Sequence, residues 1–368
     1  MATITKRIGT SSRHYSTIAA WEADLDSGSI YSSADDAVGE LYADSEFNED
    51  LDIDGGGTIG LDSITLTSSS STGNRHNGNK GTGAVVRRSS GTKDLILYAG
   101  NSTVDTMTFS WIEFDGDDDV TSNGNDKSMI KSSGATELYL QNNIFHSWGA
   151  GQDAATNYTF KLEGTKNVFT NNFVFNINGG SGHTWHVFYG DSSTAREQLI
   201  LSNTFFDIDK ESVSTNSYMF SYMDTHASSR IRNNIILDDN LGAIAGAGTK
   251  DSSSVLDYLG YDASSVAGFS NVVEDTVHSL AGNIKSDPNL HLLNNSLFID
   301  QGVDLGTSPT NVNIEIDGRN RDSEEDTWDL GADENVSTGV TDKKGGLQNQ
   351  SFTSRVAFGM TDPSDNII

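Results

Sequence analysis

Apolar and polar residues alternate in short runs along most of this chain, and the runs share one grammar. LYLQNNIFHSW from Leu138, KNVFTNNFVFNIN from Lys166, LILSNTFFDID from Leu199 and IRNNIILDDN from Ile231 each place an apolar stretch, one or two small polar residues, then a second apolar stretch. Alternation with period two predicts strands with one buried face. Helical spacing is clear in one place, Ser16–Leu25, where Ser16 stands in capping position and Ile18, Ala20, Trp21 and Leu25 share a face. The remainder reads as short strands between turns, in keeping with 37 glycines and 3 prolines.

With Asn203 as position zero, the frame repeats at Ser110, Asn143, Asn172, Asn234 and Asn271, at intervals of about 30 residues. Two residues after zero stand Ile112, Phe145, Val174, Phe205, Ile236 and Val273. Three residues before it stand Met107, Leu140, Phe169, Ile200 and Ile231, with Gly268 breaking the column. A stacked coil explains the pattern. A strand bends sharply and a second strand follows, and asparagine tolerates the left-handed backbone that such a bend needs. Stacking sets amide over amide, so these side chains stay hydrogen-bonded while buried. The expectation is an asparagine ladder through Asn143, Asn172, Asn203, Asn234 and Asn271. A leucine-rich solenoid fits less well because the columns mix Ile, Phe, Val and Met. A β-sandwich would turn every 8–12 residues without a fixed Asn column.

The repeat over Thr106 to Glu274 resembles right-handed parallel β-helix proteins of the pectate-lyase-like superfamily. A second resemblance lies further on: Asp287-Pro288-Asn289-Leu290, LFIDQG from Leu297, IDGRNR from Ile316 and DLGADE from Asp329 occur in order. They are similar to the closing segment of many bacterial and phage β-helix proteins, with Asn-Asn-Ser-Leu in place of the usual Gly-Ser ahead of the IDxG element. The resemblance implies an all-β, right-handed parallel β-helix solenoid. The exposed strand edges at its ends call for a cap, here N-terminal and helical, and the polar stretch from Asn335 followed by a lone strand pattern predicts a C-terminal arm. Residues 1–45 would form the cap, 46–285 the body and 286–335 the closing coils, tied by Arg319 and Asp329. Residues 336–368 would form an extended arm, in which Phe352, Val356 and Phe358 share one face of a strand pattern and Arg355 lies opposite. Those four are the expected partner-binding residues.

Net charge narrows the function. At −29, with pI near 4.3, the surface repels phosphate backbones and anionic lipid, so neither nucleic acid nor a membrane is an expected partner. There is no cysteine, which removes disulfides and thiolate chemistry. No apolar run approaches the roughly 20 residues of a membrane span, and the first residues lack the apolar core of a signal peptide.

Candidate chemistry is sparse. Asp115, Asp117 and Asp119 in FDGDDDVTSNGND have an incomplete calcium-loop spacing, which leaves calcium binding open against a solvated acidic loop. The run SEFNEDLDID from Ser45 is equally incomplete. SGHTWHVFYG clusters His183, Trp185, His186, Phe188 and Tyr189, readable as a sugar platform or, more simply, as packing. Asp207, Asp238 and Glu274 occupy similar places in adjacent repeats, where a glycoside hydrolase would need a carboxylate pair. Arg230 and Arg232 alternate outward, without the further basic residues of a lyase. No catalytic residue, cofactor or metal ligand is assigned. The expectation is a bacteriophage structural protein, made in the host cytoplasm without a signal peptide. It would be a capsid decoration that meets the shell or neighbouring copies, including its own, through its arm. The alternative is a tailspike, or a lyase or hydrolase, acting on host-surface glycans; a surface adhesin fits less well. This step is an analogy from fold.

Overall fold

The computed structural model describes residues 2–27, 29–54, 60–89, 97–100, 104–117, 128–133, 137–149, 156–179, 184–190, 196–209, 217–221, 228–239, 243–245, 255–261, 270–274, 290–324 and 327–335. The chain winds into an all-β, right-handed parallel solenoid of about six turns. Each complete turn contributes three strands, stacked in three parallel ladders, the first two of which join through one shared strand into a single continuous sheet.

The first sheet runs from Thr3–Ile8 through Asp36–Leu41, Ser63–Ser68, Thr106–Ser110, Glu137–Gln141, Lys166–Thr170 and Glu197–Leu201. The second stacks Glu46–Asn48, Val85–Arg87, Glu113–Asp115, Ile144–Gly149, Phe173–Asn178 and Thr204–Asp209. The third stacks Leu51–Ile53, Leu97–Ala99, Ile130–Ser132, Thr156–Leu162, Thr184–Tyr189, Ser217–Ser221 and Ala243–Ala245. The strand Arg230–Asp239 continues through the bend, pairing first with Glu197–Leu201 and then with Thr204–Asp209.

Between the first and second sheets the backbone turns on one residue per coil. Trp111, Asn142, Asn171, Ser202 and Asn233 all have φ between 54° and 61°. These residues stand just before position zero, so the left-handed residue of the bend is not the ladder asparagine, as the sequence pattern suggested, but its predecessor. The next residue, in extended conformation, is then free to aim its amide inward along the stack. Asn143, Asn172, Asn203 and Asn234 are fully buried there. The Oδ1 of each accepts the backbone N–H one coil earlier, at Ile112 (3.0 Å), Asn143 (2.8 Å), Asn172 (2.9 Å) and Asn203 (3.0 Å) respectively. Their Nδ2 groups donate to Phe109, Leu140, Phe169 and Ile200 carbonyls at 2.9–3.0 Å.

Two places in the expected frame change. Gln141 pairs with Ser110, so the counterpart of Asn143 is Ile112, and the column at Ser110 was displaced by two residues. At the other end Asn234 pairs with Leu259, and Leu259 with Val272. Asn271 therefore falls one residue off the ladder. Coils at both ends substitute apolar residues at position zero, which is why the sequence pattern slipped there.

The core is aromatic and aliphatic. Phe114 stacks on Phe145 at 5.1 Å and Phe160 on Phe188 at 4.7 Å, one rung above another. Trp185, Val187 and Phe188 of the SGHTWHVFYG run belong to this core. Before the first complete turn comes helix α1, Ile18–Ser27. Its N-terminus is capped by Thr17, not Ser16: Thr17 Oγ1 accepts the Ala20 N–H at 3.1 Å, and the Glu49 carboxylate accepts those of Ile18 and Ala19. Ile18, Trp21 and Leu25 are buried in the same core cluster as the coils.

Residues 290–335 do not stack as closing coils. The described parts, 290–324 and 327–335, form a largely irregular strap laid along the outside of the bend between the first and second sheets. Leu290, Leu292, Phe298, Ile316, Leu330 and Ala332 cover Ile144, Phe173, Phe175, Phe206, Ile235 and Leu237 of the second sheet. Val312 and Trp328 cover Val168, Leu199 and Leu201 of the first. The left-handed asparagines hold the strap's backbone: Asn142 Nδ2 donates to Ile314 and Glu315 carbonyls, Asn171 Nδ2 to those of Asn311, Val312 and Ile314, and Asn233 Nδ2 to that of Val303. Gly331, at φ 89°, comes so close that a Cβ there would lie 2.6 Å from Thr204 Oγ1. Outward-facing apolar residues on both sheets are thereby buried a second time.

Candidate functional site

The strongest concentration of ionisable groups among the described residues lies under and within this strap. Its two ends meet at His291 and Asp333, whose Nδ1 and Oδ1 are 2.9 Å apart. Asp333 Oδ2 accepts the Leu292 N–H at 2.8 Å, and Asn335 Nδ2 donates to the Leu292 carbonyl at 3.1 Å. On its other side, His291 Nε2 stands 3.2 Å from the Asn77 carbonyl and 3.5 Å from Asp317 Oδ1. Gly78 makes that approach possible, since a Cβ there would meet the imidazole at 2.5 Å. Arg319 completes the cluster, pairing with Glu315 and reaching Asp317 and Asp333 at 3.5 and 3.7 Å.

Burial disfavours the imidazolium of His291, but the Asp333 hydrogen bond and the charges of Asp333 and Asp317 outweigh it, and the pKa is raised. Burial likewise works against the Asp333 carboxylate, and the bond to His291 outweighs it, so this pKa is lowered. Burial, with repulsion from Asp333, pushes Glu315 up to about 8. A few residues on, Arg321 is buried and pairs with Glu334 at 2.7 Å while donating to the Gly331 carbonyl. Burial and the neighbouring Glu334 push Asp329 up to about 8; its carboxylate accepts the N–H groups of Asp300 and Asn335.

A histidine held by an aspartate has the look of a general base. Here both ring nitrogens already face acceptors, Asp333 on one side and Asn77 with Asp317 on the other, so neither is turned towards a substrate. His291, Asp317 and Asp333 also lie within ligand distance of one another. The guanidinium of Arg319 supplies the positive charge that these carboxylates require. The arrangement is that of a clasp.

A second pair sits on the second sheet: His146 Nε2 is 2.9 Å from Glu113 Oε1, and Nδ1 is 2.9 Å from Ser147 Oγ. The ring is fully buried and stacks on Phe175 at 5.2 Å. Glu113 Oε2 accepts the Gly81 N–H, tying down the loop before Val85. The pair lies on the outward face of the second sheet, alongside the strap-covered Phe175, and is closed off from solvent.

The residues singled out in the sequence are dispersed. Asp115 is buried and bound to Arg87 at 3.0 Å; Asp117 continues from it, and Asp119 lies outside the described residues. His186 joins an outward ring ladder, Tyr158–His186–Tyr218, with centroids 5.5 and 5.4 Å apart, and Tyr189 lies 4.6 Å from Tyr158. Rings stacked on one another cover their own faces, the surfaces a sugar would use. His183 lies outside the described residues. Asp207 has φ 52°, in line with Ser147 at 55° and Asn176 at 52°. Its place in the repeat is a second left-handed kink, which explains a small polar residue there without catalysis. The side chains of Asp238 and Glu274 lie outside the described set, and so do Phe352, Arg355, Val356 and Phe358. Arg230 and Arg232 lie in the first sheet, in register with Leu199 and Leu201 on one side and with Val255 and Asp257 on the other.

His291, Asp333, Glu334 and Arg321 were missed as a cluster. Arg319 and Asp329, expected to tie the last turns together, instead bond within the strap: Arg319 to Glu315, Asp317 and Asp333, and Asp329 to the N–H groups of Asp300 and Asn335. Compared with family models, curated protein sequences and solved structures, the chain matches none of them.

Proposed function

We propose that this chain is a structural protein of a bacteriophage virion, a head-surface decoration whose solenoid is a rigid body, whose α1 caps the first coil and whose residues 336–368 attach it. One observation carries the structural half of this reading. The described histidine–carboxylate pairs, His291–Asp333 and His146–Glu113, are buried and spent on holding chain to chain. A glycan-cleaving enzyme needs such groups open to a groove. The net charge of −29 supports a partner other than nucleic acid. The phage assignment rests on the resemblance of the repeat and of the 287–334 motifs.

Two assays test the two halves. Incubation with envelope polysaccharide is expected to release no new reducing ends and no unsaturated products; steady release of either would favour the tailspike-like or hydrolytic alternative. A chain lacking residues 340–368 is expected to keep its β-rich circular dichroism and melting temperature, and to lose co-sedimentation with purified capsids. Binding by the truncated chain at wild-type level would overturn attachment through the arm.

A further inference from the structure

The strap and the coils are joined by apolar burial and by amide and hydroxyl hydrogen bonds to the strap backbone, neither of which titrates in this range, and by a latch of titratable groups where its ends meet. We propose that residues 290–335 form a releasable strap, latched through His291, which opens locally as the solution turns alkaline while the coils beneath stay folded.

The geometry supplies the argument. His291 is the point where both ends of the strap and the Asn77–Gly78 turn of the solenoid converge. The groups facing it are Asp333, Asp317 and Arg319 from the strap, His76 from the loop before Val85, and the Phe173 ring from the second sheet at 5.4 Å. Glu113 faces His76 from the strand below. His76 itself is held neutral by burial, with a pKa lowered to about 4, so it adds no compensating charge above that range. Once His291 is neutral, one ring nitrogen becomes an acceptor and must face a carboxylate or a carbonyl. One of its two contacts is then lost, and Asp333 is left buried with less neutralisation.

The neighbouring carboxyls act in the same sense. Glu315 is enclosed by Arg319, Arg321, Asp317 and Asp333, and Asp329 by Glu334 and Arg321. The docked strap holds the protons of His291, Glu315 and Asp329 more tightly than a free strap would. Raised pKa values contribute stability that is complete below the free values and is lost as pH climbs through the docked ones. By that rule the loss begins above 4.5 for Glu315 and 3.8 for Asp329 and is complete for both carboxyls above about 8, while for His291 it begins above 6.5. The strap therefore weakens steadily from mildly acidic to alkaline solution. Asp333, whose pKa is lowered, runs the other way and contributes until strongly acidic pH.

Hydrogen exchange on the full chain at about pH 6, 7.5 and 9, corrected for intrinsic amide chemistry, reads this directly. Peptides within 290–335 are expected to lose protection roughly tenfold or more between the extremes, the effect of one pKa unit, while peptides over 166–178 and 197–208 keep theirs. His291→Gln, which stays neutral, is expected to show low strap protection at pH 6 and a flattened dependence. Unchanged strap protection at pH 9, parallel loss in the coils, or a full pH dependence surviving in His291→Gln would each overturn the proposal. Should the variant not fold, limited proteolysis of the wild-type chain over the same range decides. Cleavage confined to 290–335 and rising with pH supports the strap, and cleavage independent of pH refutes it.

Discussion

Replacing Asn203 by leucine is expected to lower unfolding free energy by about 3 kcal/mol, as read from urea denaturation. The size follows from what the amide holds. Its Oδ1 accepts from Asn172 N–H and Nδ2, and its Nδ2 donates to the Phe169 and Leu201 carbonyls and to Asn234 Oδ1. Leucine nearly matches the volume but strands a buried backbone N–H and a buried carbonyl in neighbouring turns, where water does not reach. Because Asn172 and Asn234 lose a neighbour too, Asn172→Leu combined with Asn203→Leu should cost less than the sum of the two single changes. Full additivity would mean that the amides act separately.

The other large effect is expected at Arg321. Its guanidinium is wholly buried, pairs with Glu334 and donates to a strap carbonyl. Arg321→Met keeps much of the stem but leaves Glu334 buried beside Asp329 without a cation, a loss of about 3–5 kcal/mol for breaking such a pair. The strap should detach before the coils unfold, so intrinsic Trp328 fluorescence should shift to the red at denaturant concentrations where circular dichroism is still native. A single transition coincident in both signals would mean that strap and coils form one cooperative unit.

Much of the solenoid was legible because it is written several times. Asn143, Asn172, Asn203 and Asn234 repeat the same physical solution, and repetition separates a column from chance. Where the solution is written differently, with Ile112 and Trp111 in place of an asparagine pair, the frame slid by two residues. The asparagine doublets at 142–143, 171–172 and 233–234 also concealed a division of labour. One member takes the left-handed backbone and faces the strap, the other faces the core. Spacing alone cannot tell adjacent identical residues apart. The strap was harder still. Its partners are the outward positions of strands, such as Val168, Leu199 and Phe206, which alternation assigns to solvent. Its own residues occur once. His291 is a single histidine whose partners lie 42 residues later and 214 residues earlier, beyond any local pattern.

In a plain solenoid each turn answers only to its two neighbours, and fraying from one end can proceed a rung at a time. The strap changes that connectivity, because one continuous segment is fastened at Asn77, Asn142, Asn171, Thr204 and Asn233. Under tension along the stacking direction, these rungs would share the load in parallel, as a spring does when a rod is welded down its side. Peeling the last turn would then require tearing several fastenings at once.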